Sequence, residues 1–250
     1  MNIQKIDIAM PTYESGDVVE SSLKAVRDSL TDTHVDVGNL IIVDNNSTDH
    51  TPQKIQAIAN DFGWELNLIE EETRLPEARQ ILIEEVETEW FLFLDDDAIV
   101  TESYLSDLID AISPLTGAVQ GKKSTDNRSP AEWVHRRSMR GGTHATLIRR
   151  KAVAGVEFPT DLVVLEDEYL RRYVENEQSY LWIFNHQAIF EHENQHRHSV
   201  GWREGYLAGK YNLRPSYRVL VDIPASVKAL TNPTNQIKRT AGYIVGKISH

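Results

Sequence analysis

The segment FLFLDDDAIV, residues 91–100, sets three carboxylates in a row directly after an apolar run. Adjacent carboxylates repel one another, so Asp95, Asp96 and Asp97 need a cation or a basic group nearby. At strand spacing Asp95 and Asp97 face one way and Asp96 the other. Two carboxylates on one side suit a hard divalent ion, magnesium or manganese, that also holds phosphate oxygens. The plainer alternative is an acidic turn or helix start, where acids are common. A second segment, LIIVDNNSTDHT at 40–51, ends a buried run with Asp44. That carboxylate is placed to accept a hydrogen bond from the base or ribose of a nucleotide. Ser47, Thr48 and Asp49 supply capping oxygens for a following helix, whose N-terminus favours an anion. Capping alone accounts for Asp49 and Thr51, but not for Asp44.

The elements that must carry these groups alternate in kind. Strands are predicted at 6–10, 40–43, 66–69 and 90–94, and helices at 17–30, 52–61 and 76–87. Val19, Leu23, Val26 and Leu30 share one side of the first helix, and Pro52 suits the first turn of the second. Apolar strands alternating with helices predict a mostly parallel sheet covered on both faces, a Rossmann-like α/β fold. Ligands of such sheets sit beyond the carboxyl ends of the strands. The polar signals fall there: Pro11, Thr12 and Tyr13, then 44–49, then 95–97. Further on, a helix is predicted at 102–112, a strand at 117–120 and a loop at KKSTDNRS. A helix at 130–139 precedes a glycine-kinked strand in GGTHATLIRR, and 166–175 reads as a helix before strands at 180–184 and 188–190. In QIKRTAGYIVGKI, Ile237, Ala241, Ile244, Val245 and Ile248 fall near one helical face, as in an interfacial or a docked helix.

The 250 residues suit one sizeable domain, expected at 1–200, with a basic, partly amphipathic segment at 201–250. With no cysteine, disulfides and thiolate metal sites are excluded. The opening MNIQKIDIAMPTYES lacks the pattern of a signal peptide, and no run approaches membrane-spanning length, so a cytoplasmic protein is expected. A net charge of −12 argues against a nucleic-acid partner. That charge is uneven: residues 201–250 carry +6 and the remainder −18. The basic end either meets an anionic surface or acceptor, as in a peripheral membrane contact, or is simply solvated.

Taken in order, AMPTYES, IIVDNNSTDHT, RLPEARQILIEEVETEWFLFLDDDAIV and LEDEYLRR resemble the inverting family-2 glycosyltransferases of GT-A fold, over about residues 5–175. The resemblance implies transfer of one sugar, from a UDP-sugar donor, to a hydroxyl of a glycan or lipid-linked acceptor, with Mg2+ or Mn2+. It implies that Pro11, Thr12, Tyr13 and Asp44 contact the nucleoside, and that Arg79 lies near the diphosphate. Asp95, with Asp96 beside it, would take the ribose side, and Asp97 would ligate the metal. The family's base lies in a Glu–Asp pair, matched here by Glu166 and Asp167, which makes Asp167 the candidate. Crowding by Glu166 and Glu168 would raise its proton affinity. Arg171, one turn later, would hold that carboxylate or a phosphate, or would be a plain surface arginine. His192 resembles a histidine that some members place beside the metal. Trp133, His135 and His144 fall where acceptor-binding segments are expected, although such residues are more often merely packed or exposed.

Departures from the pattern bear on the details. No glycine precedes Arg79 in TRLPEAR, and no QxxRW-like pentapeptide follows Glu166 and Asp167, which speaks against a processive synthase. A competing motif, HENQH at 192–196, matches the zinc-protease pattern but works only on a helix, whereas AIF before it reads as a strand. Two other possibilities are a polyprenyl-phosphate glycosyltransferase at the membrane surface and a non-catalytic nucleotide-sugar sensor.

Overall fold

A computed structural model describes residues 3–127, 129, 141–192, 201–214 and 233–249. The first half alternates as predicted: β1 (Lys5–Thr12), α1 (Val19–Leu30), β2 (Asp36–Asp44), α2 (Thr51–Phe62), β3 (Glu65–Glu70), α3 (Leu75–Glu85) and β4 (Trp90–Leu94). Then follow β5 (Ala98–Val100), α4 (Tyr104–Asp110), β6 (Thr116–Lys123) and β7 (Ala145–Arg149). A short 3-10 turn leads on to α5 (Glu166–Arg172), which runs into a π-helical turn at Tyr173–Glu177. The described chain ends with β8 (Leu181–His192), α6 (Gly201–Lys210) and α7 (Pro233–Ile248).

One eight-stranded sheet has the order β3-β2-β1-β4-β7-β6-β8-β5. Strands β3, β2, β1 and β4 are parallel neighbours, as is the pair β6–β8, while β4–β7, β6–β7 and β5–β8 are antiparallel. The sheet is therefore mixed and mostly parallel. The strand period of two divides the core between its faces. Ile8, Ile42 and Leu92 pack with Leu23 of α1, Ile55 of α2 and Leu108 of α4. Ala9, Ile41, Phe91 and Phe93 pack with Leu82 of α3 and Leu170 of α5 on the other side. A buried carboxylate, Asp7, pins the base of the sheet by accepting from the amides of Asn39 (2.8 Å), Glu87 (2.8 Å) and Thr88 (2.9 Å). Satisfied in this way, it is a structural group rather than a reactive one.

Several expectations change. The two strands predicted at 180–184 and 188–190 are one, β8, because Asn185 carries the chain across the polar interruption. Its side chain donates to the Asp107 carbonyl (2.7 Å) and accepts from the Gln187 amide (3.0 Å). The DDD turn opens directly into β5, and residues 201–210 form α6; neither element is among those expected from the sequence. The helix predicted at 130–139 lies outside the described residues, as does the boundary placed near residue 200. Helix α6 and the turn after it dock on the body through Leu207 and Leu213 against Leu162, and through Lys210 Nζ to Asp161 Oδ2 (2.6 Å). Among the described residues no helix is long and apolar enough to cross a membrane.

Candidate active site

The carboxyl ends of β1, β2 and β4 open on one side, and the acidic groups meet there. Asp44, the last residue of β2, is fully buried. It accepts from Thr12 Oγ1 (2.7 Å), from the Ser47 amide (2.7 Å) and from Ser47 Oγ (2.7 Å). Thr12 ends β1 and comes alongside through the parallel register Thr12↔Asp44. Pro11 lies beside it, and Tyr13 projects into solvent. Asp49 ties the loop after β1 to the start of α2, accepting from the Gly16 amide (2.9 Å) and the Thr51 amide (2.9 Å). That leaves Asp49 and Thr51 as local scaffolding.

Asp95, Asp96 and Asp97 form the turn between β4 and β5 rather than continued strand. They still diverge as the strand period suggested. Asp96 turns to the Ser15 hydroxyl, whereas Asp95 and Asp97 both approach His192. His192 is brought in by the antiparallel register Ala98↔His192 of β5 and β8. On the other flank, the pairing Leu94↔Ala145 sets His144 beside Asp95, with its Nδ1 at 2.6 Å from Asp95 Oδ2. His192 Nε2 lies 3.6 Å from the same oxygen, and its Nδ1 lies 3.7 Å from Asp97 Oδ1.

Arg79 reaches this turn from α3 and is only 2% exposed. Its guanidinium donates to Glu166 Oε1 (2.7 Å), Asp167 Oδ1 (2.6 Å) and Asp95 Oδ1 (3.4 Å). Burial alone would favour the neutral form, but the three carboxylates outweigh it and hold the Arg79 pKa above its ordinary value. One arginine thus joins the strand-end turn to the start of α5.

The N-terminus of α5 carries Glu166, Asp167 and Glu168 in its first turn, a sign of charge that complements the helix dipole. Leu165, with φ 69°, holds a left-handed conformation that β-carbon sterics disfavour, and it turns Glu166 and Asp167 inward. Asp167 accepts from Arg79 and from the Thr143 hydroxyl through the same oxygen, Oδ1. Among the described residues none donates to Oδ2. Glu168 faces the opposite way and does not crowd Asp167. It accepts from Arg171 (2.6 and 2.9 Å), Arg172 (2.9 Å) and the Gly141 amide (2.7 Å). Arg171 is consequently buried against Glu168 and Glu175, neither holding Asp167 nor lying on the surface as expected. Glycine at 141 makes the approach possible, since a Cβ there would lie 2.5 Å from the Asp167 carbonyl oxygen. Loop 141–144 is thereby pressed on α5, delivering Thr143 to Asp167 and His144 to Asp95.

The protonation landscape follows from this crowding. Burial raises Asp95, but His144, Arg79 and His192 overcome it and hold its pKa well below the carboxylate range. Asp96 is pushed up to about 6, chiefly by burial and further by Asp95 and Asp97, against the Ser15 hydrogen bond. Burial and the neighbouring Asp167 raise Glu166. Burial would lower His144, yet Asp95 dominates and raises it. His192 is lowered by burial and by His144.

Asp95, His144 and His192 present ligand atoms within 4.8 Å of one another, with Asp97 beside His192. His192 Nε2 is buried and makes no hydrogen bond among the described residues, as suits an atom with a cation to bind. Imidazole and carboxylate donors together fit a divalent metal. His144, an acceptor-side candidate by sequence, is instead set against Asp95 by β7, a pairing that nothing local to it encodes. Trp133 and His135 lie outside the described residues. His192 ends a strand, so the helix that HENQH would need is not present at its first residue; 193–196 lie outside the described residues.

A family model described as glycosyl transferase family 2 matches residues 7–180. A teichoic acid poly(glycerol phosphate) polymerase of Staphylococcus epidermidis is 30% identical over 97 residues, covering 38% of this chain and 13% of that protein. The S. aureus TarS structure superposes with a TM-score of 0.61 at 15% identity, over 99% of this chain and 44% of that one. A 1–349 form of TarS is solved with UDP-GlcNAc. The mannosyltransferase PcManGT of Pyrobaculum calidifontis, solved with GDP-Man and Mn2+, gives a TM-score of 0.65 at 18% identity over 100% of this chain and 76% of that one. The chain spans less than half the length of both the polymerase and the first TarS chain.

Proposed function

The chain belongs to glycosyl transferase family 2, and from that premise we propose that it moves one sugar from a nucleotide-diphosphate donor, a UDP-sugar, to an acceptor hydroxyl with inversion. The catalytic unit would be residues 1–200, with 201–250 as an appendage. One observation carries the reading: Asp95, Asp97, His192, Arg79 and Asp167 come from four separate elements and meet at the strand ends. Pro11, Thr12, Tyr13 and Asp44 would line the nucleoside side, where the three hydrogen bonds on Asp44 fix its carboxylate before any ligand arrives. Asp96 would support the ribose side from beside Asp95.

Asp97 and His192 would hold Mg2+ or Mn2+, with Asp95 and His144 closing the other side. The cation, when bound, neutralises the charge that develops on the departing nucleoside diphosphate. Asp167 would take the proton of the acceptor hydroxyl as its oxygen bonds to the anomeric carbon and the sugar–phosphate bond breaks. Arg79 and Thr143 fix Oδ1, and so orient Oδ2 towards that proton. Glu166 shares Arg79 and limits how far its charge can be drawn to a phosphate.

Asp167→Asn should bind UDP-sugar with Mn2+ as the wild type does, yet lose about 10²- to 10⁴-fold in transfer. Full turnover by that variant would discard the base assignment, and absence of any transfer or donor hydrolysis by the wild type across an acceptor library would favour a nucleotide-sugar sensor. A second reading puts the acceptor hydroxyl or phosphate on a polyprenyl lipid, favoured by the +6 charge of residues 201–250.

A further inference from the structure

Helices α6 and α7 are packed through glycines. A Cβ at Gly205 or Gly209 would run into the α7 backbone at Arg239 and Tyr243, and one at Gly242 or Gly246 would run into Trp202 and Tyr206 of α6. The contacts advance in the same direction along both helices, so the two run parallel with their backbones nearly touching. Because α7 gives its glycine side to α6, its other side is left outward. There Ile237, Ala241, Ile244, Val245 and Ile248 recur at helical spacing and are exposed, Ile248 at 77% and Ile244 at 49%. Other exposed aliphatics, Leu75, Leu115 and Leu181, lie on the body, whereas these five share one helix face, and such a ridge needs a cover.

Its surroundings indicate which one. Lys238 and Lys247, both exposed, flank the ridge on opposite sides. On α6, Arg203 is exposed, and the exposed Trp202 stacks on Tyr206 with ring centroids 5.4 Å apart. The one acid of the pair, Glu204, is bound to Arg239 at 2.6 Å. An aliphatic ridge flanked by lysines is the pattern of a helix lying in a lipid headgroup layer. A second copy of the chain fits less well, since it would bring two segments of +6 face to face. The −18 body would in turn be repelled by an anionic surface, which orients the contact through this end.

We propose that the outward face of α7 docks the protein on an anionic lipid surface. Docking requires no nucleotide, metal or transfer, so its test is separable from the assignment of the active site. Vesicles of phosphatidylcholine containing phosphatidylglycerol should co-float with the full chain, vesicles of phosphatidylcholine alone should not, and added salt should weaken the association. Ile244→Asp with Ile248→Asp should weaken it at least about tenfold. Lys238→Glu with Lys247→Glu, which leaves the ridge intact, should weaken it too. Both variants should keep the wild-type melting temperature and UDP affinity. The proposal is overturned if anionic vesicles fail to bind the wild type, or if both variants bind as well as it does. It is equally overturned if the wild type is a dimer in solution that the isoleucine substitutions dissociate, because the ridge would then be covered by a second copy.

Discussion

Replacing Arg79 by Met removes the single cation that Glu166, Asp167 and Asp95 share, while keeping most of the buried side-chain volume. With Arg79 2% exposed, water cannot take over its role. Deleting one partner of a buried ion pair costs about 3–5 kcal/mol, since the remaining charge is left uncompensated. In a chain of this size each kcal/mol moves the melting temperature by roughly 2–4 °C, so a drop of about 6–20 °C is expected. The deficit should depend on pH in a definite direction. Glu166 already sits above its ordinary pKa from burial and Asp167, and it rises further once Arg79 is gone. A carboxyl whose folded pKa is raised holds its proton more tightly folded than unfolded, so the variant should recover stability as pH falls from about 8 towards 5. Adding Glu166→Gln should restore part of the loss, with a coupling of about 0.5–3 kcal/mol in a double-mutant cycle. Differential scanning calorimetry across that pH range is the assay. A drop under about 3 °C, or one independent of pH, would refute the view that Arg79 neutralises the cluster.

Gly141→Ala places a methyl 2.5 Å from the Asp167 carbonyl oxygen and 2.9 Å from Arg171 Cβ, so overpacking should cost about 1–3 kcal/mol in a chemical melt. An unchanged melt would mean the loop does not press on α5. Asp96 at about 6 lies above its ordinary value, so its contribution is present in acid and lost as pH rises through about 6. Asp96→Asn should therefore raise the melting temperature of metal-free protein at about pH 8, with the gain vanishing by about pH 4. A gain of equal size at both pH values would exclude the burial of an ionised Asp96 beside Asp95 and Asp97 as the cause.

The sequence makes the strand-end geometry of Asp44 and of Asp95 to Asp97 readable, because both follow apolar strands in a regular alternation. Contacts made by distant pairing are hidden. His144 and His192 reach Asp95 only because β7 pairs with β4 and β8 with β5, and neither register is encoded near the histidines. Arg171 shows the reverse problem. Helical spacing from Asp167 was real, but Asp167 faces the strand ends, and Glu168 and Glu175 on the buried side of the helix take the guanidinium instead. Helix α6 escaped because GWREGYLAGK holds three glycines, each unfavourable in a helix by about 0.5–1 kcal/mol relative to alanine. Close packing on α7 shows why Gly205 and Gly209 are there, and a φ of 46° shows why Gly201 is.

The claim on which the rest depends is that carboxylates and imidazoles at the strand ends hold a cation that in turn grips a diphosphate. Titrating UDP into the protein by calorimetry, with Mn2+ and then with EDTA, measures it directly. The account predicts binding with Mn2+ that weakens at least about tenfold with EDTA, and weakens equally in Asp97→Ala with Mn2+ present. UDP affinity that is the same with and without the metal would contradict it.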